Sequence, residues 1–216
     1  MNNTAEVVFI LDRSGSMHGK EADIIGGFNS MIRKRQEEDM KAYISTVMFS
    51  DDSEVLHDRL EISQVPVMTE KDYVTQGCTA LLDAVGDAIK HIRNIHKYAR
   101  PEDRPDKTMF IIMTDGYENA SHRYDHKQLK RLVERQKEKG WEFIFIGADI
   151  DAFAVAESVG VGSKRAVHFS KAKDSYEDCF DAVGEAVSCY MAAPEPLSDQ
   201  AFDESFKMFK RSGKDA

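Results

Sequence analysis

Asp12, Ser14 and Ser16 stand at alternate positions immediately after an apolar run, Val7, Val8, Phe9, Ile10 and Leu11. A strand made of that run delivers one carboxylate and two hydroxyls to a single point at its end. Two further oxygen-bearing residues occur in similar settings. Thr79 lies among Gly77, Cys78, Ala80 and Leu81, and Asp115 ends a second apolar run that starts at Met109. Two acids and three hydroxyls form an oxygen-only donor set, the kind that suits a small hard dication. Neutral hydroxyls leave the charge of such an ion less compensated than carboxylates do, so it keeps an affinity for a negative ligand from outside. Each segment also has a plainer reading: Asp12 as an Asx turn, Ser14 or Ser16 as a helix N-cap, and Thr79 as the cap of its own helix.

The elements that must position these residues alternate between strand and helix. Residues 7–11 and 108–113 read as buried central strands, because the first is apolar throughout and the second is apolar from Met109 on. Residues 42–49 and 55–62 read as strands joined by the short polar link Ser50, Asp51, Asp52 and Ser53, which suits an antiparallel hairpin. Further strands are expected at 141–146 and 166–169. Helical periodicity appears in Ile24, Ile25, Phe28, Met31 and Ile32, and again from Leu81 to Ile95. It recurs in Leu129, Leu132, Val133 and Gln136, with Gly140 as the expected cap, and in Tyr176, Phe180, Val183, Val187 and Tyr190. Asp151 is placed to cap a short helix through Ala156. Pro101 and Pro105 end the helix before them, and Pro194 and Pro196 break the chain.

The alternation predicts an α/β fold: a three-layer, doubly wound, mostly parallel sheet with one antiparallel edge strand. Residues 1–193 would form the domain, and residues 194–216 a linker and an amphipathic tail helix bearing Phe202, Phe206 and Phe209. In open sheets of this kind, ligands bind beyond the carboxyl ends of the strands where strand order reverses. Asp12 and Asp115 both end expected central strands, so they meet at that point if the two strands are neighbours.

Composition bounds the function. A formal charge of -9 over 216 residues argues against a phosphate-backbone partner. The basic stretch Arg33, Lys34 and Arg35 reads as solvated helix surface. Three cysteines, Cys78, Cys179 and Cys189, lack metal-ligand spacing and point to a reducing compartment. Cys78 reads as a small half-buried residue, with a reactive thiol beside Thr79 as the alternative. No secretion signal and no membrane-spanning run are visible, so a soluble cytoplasmic protein without a membrane partner is expected.

The ordered set Asp12-x-Ser14-x-Ser16, Thr79 and Asp115 resembles the metal-ion-dependent adhesion site of von Willebrand factor type A domains, and the resemblance extends over about residues 5–192. It implies that Ser14 and Ser16 bind a metal directly, that Thr79 binds directly or through water, and that Asp12 and Asp115 act chiefly through waters or hydrogen bonds. The implied ion is Mg²⁺, with Mn²⁺ or Ca²⁺ as substitutes, and the implied partner is a protein presenting an aspartate or glutamate. The chain is similar to small stand-alone relatives of bacteria and phages, whose partners include ATPases and stress-response complexes.

A metal-dependent hydrolase or phosphatase is the competing expectation. Asp12 superficially resembles the first acid of haloacid-dehalogenase-type phosphatases, but Ser14 stands where their second acid belongs. No Gly-x-Ser-x-Gly elbow or phosphate-loop pattern is present, so no catalytic residue is assigned. Lesser candidates are a second metal site at Glu118, His122 and His126, an auxiliary acidic site at Glu21 and Asp23, and a partner-binding tail, for which packing back on the domain is the default.

Overall fold

The computed structural model describes residues 4–38, 40–170, 174–193 and 197–212. Six strands form one sheet in the order β3-β2-β1-β4-β5-β6. They are β1 (Ala5–Asp12), β2 (Ala42–Phe49), β3 (Ser53–Glu61), β4 (Lys107–Thr114), β5 (Glu142–Ala148) and β6 (Ala166–Phe169). All neighbours pair in parallel except β2 and β3, whose short link makes the expected antiparallel hairpin. The helices are α1 (Glu21–Glu37), α2 (Leu81–Tyr98), α3 (His126–Lys137), α4 (Ala152–Ser158), α5 (Tyr176–Ala192), α6 (Asp199–Ser205) and α7 (Lys207–Ser212). This is the doubly wound α/β fold that the alternation predicts. Strand order reverses between β1 and β4, and Leu11 pairs with Met113, so the two acid-bearing ends lie side by side.

Alternation along β1 divides the core into two layers. Val7, Phe9 and Leu11 face α1 and α5, whereas Val8 and Ile10 face α2 and α3. Every residue of β1 is buried, as a central strand covered on both faces requires. Phe28 of α1 stands edge-on to both Phe9 and Phe180 and fixes the first layer.

Two expectations change and one holds. Arg35 is buried, not solvated, because α5 lies over it. Its guanidinium donates to the Gly184 carbonyl at 2.8 Å and to the Ser188 hydroxyl at 2.6 Å. The tail folds as two short helices, not one, and Phe202, Phe206 and Phe209 are all buried in the α1–α5 layer, so the tail packs back on the domain as its default reading has it. Gly140 caps α3 as expected: at φ +84° it donates its N–H to Lys137 O at 2.9 Å, and Trp141 N donates to Gln136 O at 3.1 Å, the bond pair of a glycine-terminated helix. The break expected at Pro194 and Pro196 lies outside the described residues.

His57 of β3 is buried, hydrogen-bonded through Nδ1 to Thr46 Oγ1 at 2.9 Å and stacked on Phe28. Burial disfavours its cation and lowers its pKa, with Asp72 opposing the shift. A base whose folded pKa is depressed binds fewer protons folded than unfolded. Its contribution is therefore whole above the unfolded value of about 6.5 and is lost as pH falls through the folded value. NMR titration should find the His57 ring changing charge below about pH 6.5. An ordinary or raised midpoint would contradict its burial.

Candidate metal centre

Asp12 ends β1 and is fully buried. Its Oδ1 accepts from Ser14 N at 2.7 Å, an Asx-type turn that bends the chain out of the strand, and its Oδ2 accepts from the Thr114 hydroxyl at 2.5 Å. The Tyr73 hydroxyl donates to the Asp12 carbonyl. The carboxylate is thus fixed by neutral donors. Burial raises its pKa; hydrogen bonds from Thr114 and Ser14 oppose that shift, and the nearby Asp115 charge adds to it.

Ser14 and Ser16 leave the turn on one side, with their Oγ atoms 3.0 Å apart. Ser16 donates to Asp115 Oδ1 at 2.5 Å, which joins the first segment to the third. Although Ser14 precedes a single turn of 3₁₀ helix at Gly15–Met17, its side chain makes no cap.

Thr79 does not cap α2 either: Ala80 holds that position and has no side chain to cap with. The first amides of α2 are met from the loop after β4 instead. Glu118 accepts from Leu82 N at 2.9 Å and Ser121 from Asp83 N at 3.0 Å. Thr79 is itself held through its backbone, with N donating to Asn119 Oδ1 at 2.8 Å and O accepting from Asn119 N at 3.1 Å. Its hydroxyl lies over Gly116, where a Cβ would stand 2.8 Å from Thr79 Oγ1.

Backbone bonds lace the three loops together. Gly15 N donates to Gly77 O at 3.0 Å, Gln76 N to Arg13 O at 2.8 Å, and Ala80 N to Ser50 O at 2.8 Å. Gly77 adopts φ +71°, and a Cβ there would fall 1.9 Å from Asp51 Oδ2, so only glycine fits. All five residues singled out in the sequence are therefore carried on mutually bonded loops at the carboxyl ends of β1 and β4. Asp12, Ser14, Thr79 and Asp115 are buried, and Ser16 is exposed.

This donor chemistry fits a hard dication. The oxygens are carboxylate and hydroxyl only, two of the groups are acids in mutual repulsion, and the buried Asp12 has only neutral hydrogen-bond donors. A cation would relieve both the repulsion and the burial cost.

The lesser candidates do not assemble. Glu118 also accepts from Ala120 N, Ser121 N and the Ser121 hydroxyl, so its carboxylate staples a loop and does not meet His122 and His126. Among the described residues no group of three His, Cys, Asp or Glu could hold a metal. Glu21 accepts from the Thr75 hydroxyl at 2.6 Å and Gly19 N at 2.8 Å, which orders the loop before α1. Cys78 is exposed, not half-buried, and Asp51 raises its thiol pKa, which disfavours the reactive thiolate. The sequence singles out neither Thr114, Tyr73 nor Asn119, and it marks Glu118 only as a metal ligand, not as the staple of its loop. Only Thr114, adjacent to Asp115, gave a usable signal.

Residues 6–181 match the von Willebrand factor type A domain family. No curated protein sequence matches the chain. Among solved structures, it resembles the vWF domain of the type V pili tip protein Mfa5 from Porphyromonas gingivalis. That match has a TM-score of 0.62 at 14% identity and covers 89% of this chain and 97% of that one. The SpRpn10 VWA domain matches with a TM-score of 0.53 at 15% identity, over 82% and 94% of the two chains. The ArnB paralog VWA2 from Sulfolobus acidocaldarius matches with a TM-score of 0.53 at 20% identity. There the match covers 86% of this chain but only 45% of the archaeal one. At these identities the likeness carries the fold alone.

Thr114→Val should cost about 1–3 kcal/mol of stability in urea unfolding, because Asp12 Oδ2 loses its donor inside the protein. An unchanged midpoint would show that the Asp12 carboxylate is hydrated or otherwise satisfied.

Proposed function

The chain belongs to the von Willebrand factor type A family, and from that premise we propose that it is a metal-dependent protein-binding module with a complete adhesion site. Domains of this family are typically protein-interaction modules. The proposed ligands are the Ser14, Ser16 and Thr79 hydroxyls, with Asp12 and Asp115 acting from behind through hydrogen bonds or water. The proposed ion is Mg²⁺, which Mn²⁺ or Ca²⁺ could replace. When bound, it supplies a Lewis-acidic position that a partner's aspartate or glutamate completes.

One observation carries this reading. The hydroxyls of Ser14 and Thr79 cap no helix: Ser14 Oγ lies 3.0 Å from Ser16 Oγ and faces the Asp12 carboxylate, while Thr79 is placed by its backbone bonds to Asn119. The chain's part is to hold three neutral oxygens at a rim and two acids behind them, so that the site retains affinity for one more negative ligand. Excluding water as the partner docks strengthens that attraction.

We read the site as non-catalytic. Activating a serine or threonine requires an adjacent base; no histidine bonds the hydroxyls of Ser14 or Ser16, and the one carboxylate that Ser16 donates to, Asp115, is assigned here to the ion. The cytoplasmic setting, the bacterial or phage origin, and a partner that is an ATPase or stress-response complex follow from the sequence resemblance and remain part of the proposal. No described helix is long and apolar enough to cross a membrane.

Mg²⁺ at one hundred times its Kd should raise unfolding free energy by about 2.7 kcal/mol. The increment should vanish in Asp12→Ala and Thr79→Ala, together with Mg²⁺-dependent, chelator-sensitive partner capture. Folded variants that capture the partner undiminished would overturn the proposal.

A further inference from the structure

We propose that the groove between the edge strand β3 and α2 is a second docking surface. It would take an extended partner segment alternating aliphatic and basic side chains, added to the sheet beside β3. The inference does not rest on the metal-site reading.

β3 ends the sheet: it pairs with β2 on one side, and no strand among the described residues pairs with the other. Beside this edge lies a cavity of about 170 Å³, walled by Val8, Val47, Val55, Ala84, Ala88 and Ile92. Pockets that enclose whole small ligands run to about 300–1,000 Å³, so this one is sized for a single side chain. Its depth comes from α2, which presents alanines here but Leu81, Leu82 and Ile89 elsewhere along its buried face. Val55 stands at the mouth and is 53% exposed, an apolar side chain that the domain leaves uncovered. Strand addition beside a helix-walled pocket is an established mode of peptide capture. Main-chain bonds supply affinity, and the pocket selects a side chain.

Charge decides which strand fits. Glu54, Asp58 and Glu61 are all exposed along β3. Arg59 is turned inward at φ +51°, with Nε on the fully buried Glu6 at 2.8 Å. Glu54 meets Arg13 at 2.8 Å, while Asp58 sits on the cavity rim with His91 Nε2 at 2.8 Å. A second copy pairing edge to edge would set acids against acids, the device by which exposed strands refuse self-association. A strand with Lys or Arg next to its aliphatic residue brings the opposite charge to this row of acids, as Glu54 stands next to Val55. The occupant is therefore a basic, aliphatic segment of another protein.

The test is an NMR titration of the full chain with a nine-residue peptide of alternating lysine and leucine. Two comparison peptides replace lysine by glutamate or leucine by serine. The lysine–leucine peptide should shift the amides of residues 53–58 and the methyls of Val47, Val55, Ala84 and Ala88, equally in Mg²⁺ and in chelator. Ala88→Leu fills the cavity and should weaken binding roughly tenfold or more, the worth of burying one aliphatic side chain. If that variant does not fold, Val55→Ser at the exposed mouth decides the matter by the same loss. The proposal is overturned if the lysine–leucine peptide fails to bind or shifts another surface. It is equally overturned if the glutamate or serine peptide binds as well, or if the folded variant binds like the parent chain.

Discussion

The carboxylate of Asp12, buried at the end of a central parallel strand and held only by neutral donors, is the constraint on which the top of the domain depends. A charge in that position is costly unless every oxygen is met. The chain meets one oxygen with its own turn at Ser14 and the other with Thr114 from the neighbouring strand. Those two bonds set the path of the first loop and the register at which β4 must end. Asp115 then arrives beside Ser16, and the second acid meets the first. Bringing two carboxylates together is a standing electrostatic cost, which a bound cation would relieve.

Precision in the loops comes from redundancy, not from any single strong bond. The loop after β1 is tied to the Gln76–Gly77 segment by two backbone bonds, and Asn119 holds both backbone groups of Thr79. Glu118 serves two purposes, closing its own loop and capping α2, so the start of α2 cannot move independently of the segment that carries Asp115. Rigid placement of this kind suits a site that must present oxygens at fixed separations.

Much of this was legible in the residues themselves. Continuous apolar runs identify β1 and β4 because strands buried on both faces leave no polar alternation. The acids that end those runs then fall at the switch point by topology alone. The β2–β3 hairpin follows from a link too short for a crossover. What escaped was whatever depends on distant partners. Thr114 looks like any strand-end threonine until Asp12 is placed beside it, and Tyr73 lies in an irregular segment without periodicity. Arg35 carries the pattern of a solvated helix face, and its burial is decided by α5, nearly 150 residues further on. The cavity under β3 is likewise invisible in sequence, because Ala84 and Ala88 read as ordinary small residues on a helix.

The central claim is that oxygens of Asp12, Ser14, Ser16, Thr79 and Asp115 enclose one cation position. Crystals grown in Mn²⁺ and measured for its anomalous scattering test it most directly. The account predicts a single strong peak bonded to the hydroxyls of Ser14 and Ser16, with Asp12 still engaged by Thr114. A map with no peak there, while those side chains keep the arrangement described, would contradict it.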